Sequence, residues 1–195
     1  MAYPPKWQEF CSWLRVDQGS LPDYVSLGEL NRFAARYRLA SAFEGLEVSG
    51  YPSATKNAYG AVLKAFLAYS ALEQLHKAVK PPSGSRNLMD RWASLGTKPA
   101  SQLRRSKSIL MFLEEQVESR PLLERLHAFQ NGESDNCLSV ATALRHAVAH
   151  GFMSVHPNGT SPQTAEGFCQ LVSQMLIEIA DHEFRGLVSD LTHQP

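Results

Sequence analysis

The sequence predicts an all-α protein, an elaborated bundle of six or seven helices, on three observations. Apolar residues recur every three to four positions through almost every segment, the spacing of one helix face. No segment of any length alternates apolar and polar residues as a half-buried strand does. The periodic segments are separated by residues that start or stop helices, among them Ser26-Leu27-Gly28-Glu29, Pro81-Pro82 and Gly151. At 195 residues, 44% of them hydrophobic, the chain is long enough to bury one sizeable core, and a single all-helical domain over 1–195 is the simplest division. Residues 1–50 then read as an N-terminal helical extension of the rest.

The first helix is expected over 5–16, opened by Pro5 and striped with Trp7, Phe10, Cys11, Trp13 and Leu14, with Gly19 to Asp23 breaking it. Its tryptophans read as anchors onto the core, with a docking surface as the alternative. Ser26 and Glu29 have capping-box spacing, and Leu30, Phe33, Ala34, Tyr37, Ala40 and Phe43 carry a second helix. The polar face of this helix holds Arg32, Arg36 and Arg38, a set that suits either solvent or phosphate. A turn at Gly50 to Pro52 and a cap at Ser53 start a long third helix that reaches Val79, where Pro81-Pro82 ends it. Glu73 lies inside that helix and pairs either with Lys77 four residues on or with a cation from elsewhere, such as Arg145.

Ser83-Gly84-Ser85 is a connector, Leu88 to Leu95 a short helix with Trp92 inward, and Pro99 to Ser119 a longer one. At the start of the latter sit Lys98, Arg104, Arg105 and Lys107, the densest basic cluster in the chain. These are candidate substrate-binding residues for tracking a phosphate backbone, although no aromatic residues are interleaved for base stacking. Pro121 opens a helix through Gln130, and Asn131 to Asp135 turn the chain toward the next helix, capped by Asp135 or Asn136. A loop from Phe152 to Pro162, long enough to wall a cleft, carries His156, a further candidate contact. Ser161-Pro162 then cap a final helix.

The chemistry concentrates in Leu144-Arg145-His146-Ala147-Val148-Ala149-His150-Gly151, with Gly151 where a left-handed cap belongs. Arginine offers a permanently charged planar fork for two phosphate oxygens, and histidine titrates close to neutrality. Arg145 and His150 are five residues apart, so about 100° per residue sets them roughly 140° apart around the axis. Either the helix unwinds at Gly151, or a second copy of the chain contributes across a two-fold axis. His146 and His150, four apart, share a face at the spacing of a two-histidine metal pair, but no third ligand is evident beyond His156 or a remote acid.

The run Arg, polar His146, three small or apolar residues and His-Gly resembles the signature of the HEPN superfamily, the higher eukaryotes and prokaryotes nucleotide-binding domains. Ala65-Phe66-Leu67-Ala68-Tyr69-Ser70-Ala71-Leu72-Glu73 is similar to the earlier long helix of such domains, where an acidic residue often faces the motif. The resemblance covers roughly residues 54–190. It implies a helical bundle, often homodimeric, and a metal-independent endoribonuclease that leaves a 2′,3′-cyclic phosphate. Arg145, His150 and His146 would be the catalytic residues and Glu73 a supporting one. It further implies a defence or toxin-antitoxin setting, in which an antitoxin or regulatory protein is a partner. Members neutralised by a nucleotidyltransferase often carry Tyr two residues after the motif His, but Phe152 stands there, which puts control by that modification in doubt.

Other classes find little support. Nineteen basic against nineteen acidic residues give no global field for nucleic acid, so any contact with RNA must be local. Three widely spaced cysteines argue against a disulfide framework or a zinc site. No cofactor is expected: there is no Gly-rich loop before Lys-Ser/Thr, and the Gly-x-Ser-x-Gly of a serine hydrolase is missing too. With no basic leader and no long apolar window, a reducing cytoplasm without membrane contact is the expected setting. A rival reading from another class is a non-catalytic HEPN-like module that binds a nucleotide, RNA or a partner protein.

Overall fold

The chain's two longest amphipathic segments pack on each other and set the frame for the rest. The computed structural model describes residues 3–16, 20–80 and 87–193. Among them are nine α-helices and one 3-10 turn: α1 (Trp7–Val16), α2 (Leu27–Ala42), α3 (Ser53–Ala78), α4 (Leu88–Arg91), α5 (Ala100–Leu103), α6 (Lys107–Glu115), α7 (Arg120–Gln130), α8 (Leu138–Ala149) and α9 (Pro162–Thr192), with the turn at Pro157–Gly159. The fold is all-α as expected, but with nine helices in place of six or seven. The only extended pairing among these residues is an isolated antiparallel bridge between Val25 and Val79.

Helix α3 lies against both α9 and α2, and α8 packs on α3. Small residues on α3, including Ala58, Ala61, Ala65, Ala68 and Ala71, are buried at these contacts and let neighbouring backbones come close. At Gly60 a side chain would meet the Gly45 Cα at 3.4 Å, so the segment after α2 rests almost directly on α3. Core residues from Phe10 to Leu191 form one contiguous cluster, which takes in the N-terminal helices.

Helix α1 begins at Trp7 and not at Pro5, after a turn in which Lys6 adopts φ +64°. Its tryptophans are anchors: the Trp7 ring lies tilted 5.6 Å from Phe184 on α9, Phe10 meets the same ring edge-on at 6.0 Å, and Trp13 packs on Phe10. Ser26 caps α2 by accepting from the Glu29 N–H at 3.5 Å. Glu29 does not complete the capping box, because its carboxylate accepts from Arg32 and from the buried Gln74 amide instead. Tyr37 donates to Asp181 at 2.6 Å, a second polar link between α2 and a neighbour.

The helix expected over 99–119 is divided into α5 and α6. Five polar residues from Arg104 to Ser108 interrupt the apolar stripe between buried Leu103 and Ile109, and the backbone turns there. The helix expected over 88–95 is shortened to one turn, with Trp92 buried as anticipated. Gly19, the Pro81-Pro82 stop and the Ser83-Gly84-Ser85 connector lie outside the described residues. Cys137 and Cys169 are buried free thiols, and burial pushes both up to about 12, which favours the protonated thiol. No helix among the described residues is long and apolar enough to cross a membrane.

Candidate active site

Helix α8 carries the Arg145–His150 motif, and its two ends are held by local chemistry. Asn136 accepts the Leu138 N–H at 3.1 Å through its side chain and donates to the Met89 carbonyl at 3.0 Å. Asn136 thus serves the helix start from one position before the cap residue, Cys137. The other expected cap, Asp135, pairs with Arg104 instead. Leu138, Val140, Ala141, Ala143, Leu144 and Ala147 bury one side of the helix. At the far end Gly151 takes φ +74°, the Phe152 N–H bonds the Ala147 carbonyl at 2.9 Å and the Gly151 N–H bonds Val148 at 3.1 Å. This pair of bonds is a Schellman cap.

Arg145 is half-buried and opens into a cleft of about 210 Å³ between α2, α3 and α8, lined also by Arg36, Phe66, Tyr69, Ser70, Glu73 and Lys77. It forms no hydrogen bond or ion pair with any described residue. Glu73 makes its ion pair with Lys77, at 3.9 Å, so of the two sequence alternatives the local one is taken while Arg145 shares the cleft. Arg36 donates to the Ser70 carbonyl at a long 3.4 Å. Thr142 gives its proton to the Leu138 carbonyl at 2.7 Å and so accepts from Tyr69 at 3.2 Å. Burial, more than any other cause, raises the Tyr69 phenol above its ordinary range; Glu73 adds to the shift, while the Thr142 bond and Arg145 oppose it.

The motif histidines leave by a different side. Their rings lie 4.3 Å apart at 44°, and His150 stacks on Phe152 with centroids 6.0 Å apart and planes 18° from parallel. His150 and Phe152 are exposed, the latter at 48%. No hydrogen bond, ion pair or ring contact among the described residues joins Arg145 to either imidazole. The divergence expected from helical spacing is present, and Gly151 does not unwind the helix to remove it: α8 stays regular to Ala149.

The remaining sequence candidates scatter. Arg104 is committed inside the chain: its guanidinium donates to the Phe129 carbonyl at 2.7 Å, the Ser134 carbonyl at 2.6 Å and Asp135 at 2.5 Å, and lies over the Phe129 ring. Arg105 and Lys107 are exposed around the α5–α6 turn and do not line the Arg145 cleft. His156 is exposed before the 3-10 turn that packs on α6. Besides Lys77, which the sequence offered only as a partner for Glu73, Arg36 is a cleft residue that the sequence did not assign to the site. The arginine run on α2 was its signal, but which of the three meets α8 depends on how α2 docks. Among the described residues no three His, Cys, Asp or Glu side chains gather as metal ligands, and His146 and His150 remain a pair.

Fold and site together define an all-helical bundle with a cation-rich cleft at Arg145 and, on a different side of the same helix, a half-buried His146 in ring contact with an exposed His150. Compared with known proteins, the chain matches no family model, no curated protein and no solved structure.

Proposed function

We propose that this chain is a metal-independent endoribonuclease of HEPN type, acting as a homodimer in the cytoplasm in a defence or toxin-antitoxin setting, with or without a directly binding antidote. The observation that carries the reading is that, among the described residues, the Arg145 guanidinium on a cationic cleft has no hydrogen-bond or ion-pair partner, while His150, in ring contact with His146 and Phe152, stands exposed at the end of the same helix with no side-chain hydrogen bond. A guanidinium fork that opens into a cleft with no partner among the described residues is free to take two oxygens of an anionic ligand. The divergence of Arg145 from His150 favours a site assembled from two copies across a two-fold axis, each supplying what the other lacks.

In this mechanism a 2′-hydroxyl attacks the adjacent phosphorus and the bond to the 5′-oxygen breaks, giving a 2′,3′-cyclic phosphate and a free 5′-hydroxyl. The 2′ proton passes to one imidazole and a second imidazole protonates the leaving oxygen; the His150 side chains of the two copies supply these groups, and His146 orients the site or contacts the phosphate. Arg145 offsets the charge that grows on the phosphorane oxygens. Glu73, through Lys77, moderates the positive field around it.

The test is incubation of the purified protein with total RNA in EDTA, beside Arg145→Ala and His150→Ala. Fragments from the parent with cyclic-phosphate ends, and loss of roughly 100-fold or more in either variant, are expected. If a variant cuts as well as the parent, that residue's role is wrong. Intact RNA in every lane favours the second reading, a helical module that binds a nucleotide, RNA or partner protein without turnover; the separation of Arg145 from the histidines within one chain suits it.

A further inference from the structure

We infer that the cleft between α2, α3 and α8 is a phosphate subsite in which Arg36 and Lys77 act beside Arg145, so that part of the N-terminal extension belongs to the binding machinery. The inference rests on the ribonuclease reading only for the identity of the ligand, a phosphate of the RNA chain. Three cationic side chains and one carboxylate line the cleft, which leaves two positive charges in excess in a small space. None of the three cations is held by a strong contact among the described residues, and the Lys77 ammonium, 56% exposed, is free to move. Among the described residues Arg145 has no hydrogen bond or ion pair, Arg36 has one long bond to a carbonyl, and Lys77 touches Glu73 at the limit of an ion pair.

Three donors from three helices suit a tetrahedral anion, whose oxygens accept from several directions, better than a planar carboxylate. The cleft's roughly 210 Å³ is below the ~300 Å³ at which pockets begin to enclose drug-sized ligands. A phosphate group fits it, with the attached sugar and base outside. The net-neutral composition of the chain is no obstacle, since screening confines the field of such a cluster to its neighbourhood.

The experiment separates binding from cleavage by using a probe that cannot react, a short 2′-O-methyl RNA, which lacks the attacking hydroxyl. Affinity is measured for the parent, Arg36→Met, Lys77→Met and Glu73→Gln, with Arg120→Met and Glu124→Gln on α7 as charge controls. Each loss of a cleft cation is expected to weaken binding about tenfold and to flatten its salt dependence. Glu73→Gln is expected to tighten binding about fivefold, an opposite sign that a misfolded variant does not produce. In a parallel titration, inorganic phosphate should shift the side-chain N–H resonances of Arg36 and Arg145. Unchanged affinity in both cation variants, equal effects in the α7 controls, or no binding by the parent overturns the subsite. Binding that follows this pattern without any cleavage of natural RNA keeps the subsite and removes the ribonuclease. Cleavage that ignores Arg36 and Lys77 does the reverse.

Discussion

Replacing Gly151 with alanine tests the helix end on which the motif depends, because the structure isolates a single physical cause. A Cβ added at Gly151 meets nothing within 4 Å, so the change brings no clash. What remains is the backbone, held at φ +74°, where a residue with a side chain pays about 1–2 kcal/mol relative to glycine. For a chain of this length each kcal/mol moves the midpoint by about 2–4 °C, so Gly151→Ala should lower Tm by roughly 2–8 °C. Gly186, exposed inside α9, is the internal control. It also has open space around it but ordinary helical φ, so Gly186→Ala should raise Tm by about 2–4 °C through the ~1 kcal/mol helix preference of alanine. Gly151→Asn should fall between Gly151→Ala and the parent, since asparagine tolerates the left-handed region best after glycine. Thermal unfolding followed by circular dichroism at one fixed protein concentration reads all three. If Gly151→Ala melts with or above the parent while Gly186→Ala behaves as stated, the left-handed cap that turns Phe152 onto His150 is not there.

Two further outcomes follow from contacts described above. Arg104→Met should cost roughly 1–3 kcal/mol of stability by urea unfolding, because it strands the Phe129 and Ser134 carbonyls and releases Asp135; an unchanged midpoint would return Arg104 to the list of substrate contacts. Burial raises the Asp181 carboxyl above its ordinary value, so the folded state favours its protonated form, and the stability this confers is present below the ordinary value and lost as pH rises through the raised one. Asp181→Asn, which still accepts from Tyr37, should therefore match the parent near pH 3 and melt above it near pH 7. A gap that is larger at acid pH contradicts the assignment.

What could be read from the sequence were the interactions that close within a few residues. Ser26 and Ser161 cap their helices through hydroxyls that accept N–H groups three positions on, and Gly151 adopts the left-handed conformation its place after an apolar stripe implied. Glu73 chose Lys77, its neighbour one turn away. The misreadings share the opposite property. Arg104 looked like a member of a surface cluster because its charge was visible and its distant acceptors, at Phe129, Ser134 and Asp135, were not. Arg36 looked like one of three equivalent arginines until α2 docked on α3. The turn at 104–106 divides a stretch whose periodicity read as continuous, because periodicity reports which side of a helix is apolar and not where the axis changes direction.

The contact between Lys6 and Ser189, at 3.0 Å, has a mechanical consequence. Together with the packing of Trp7 and Phe10 against Phe184, it fastens the first helix to the last turns of the final one. Helix ends ordinarily fray independently, at little free-energy cost. Here the opening of either strips apolar cover from the other, so α1 and the end of α9 should exchange their amide hydrogens as one unit. The seam that joins them makes the two extremities of the fold a shared closure, and tension applied to one is felt at once by its opposite.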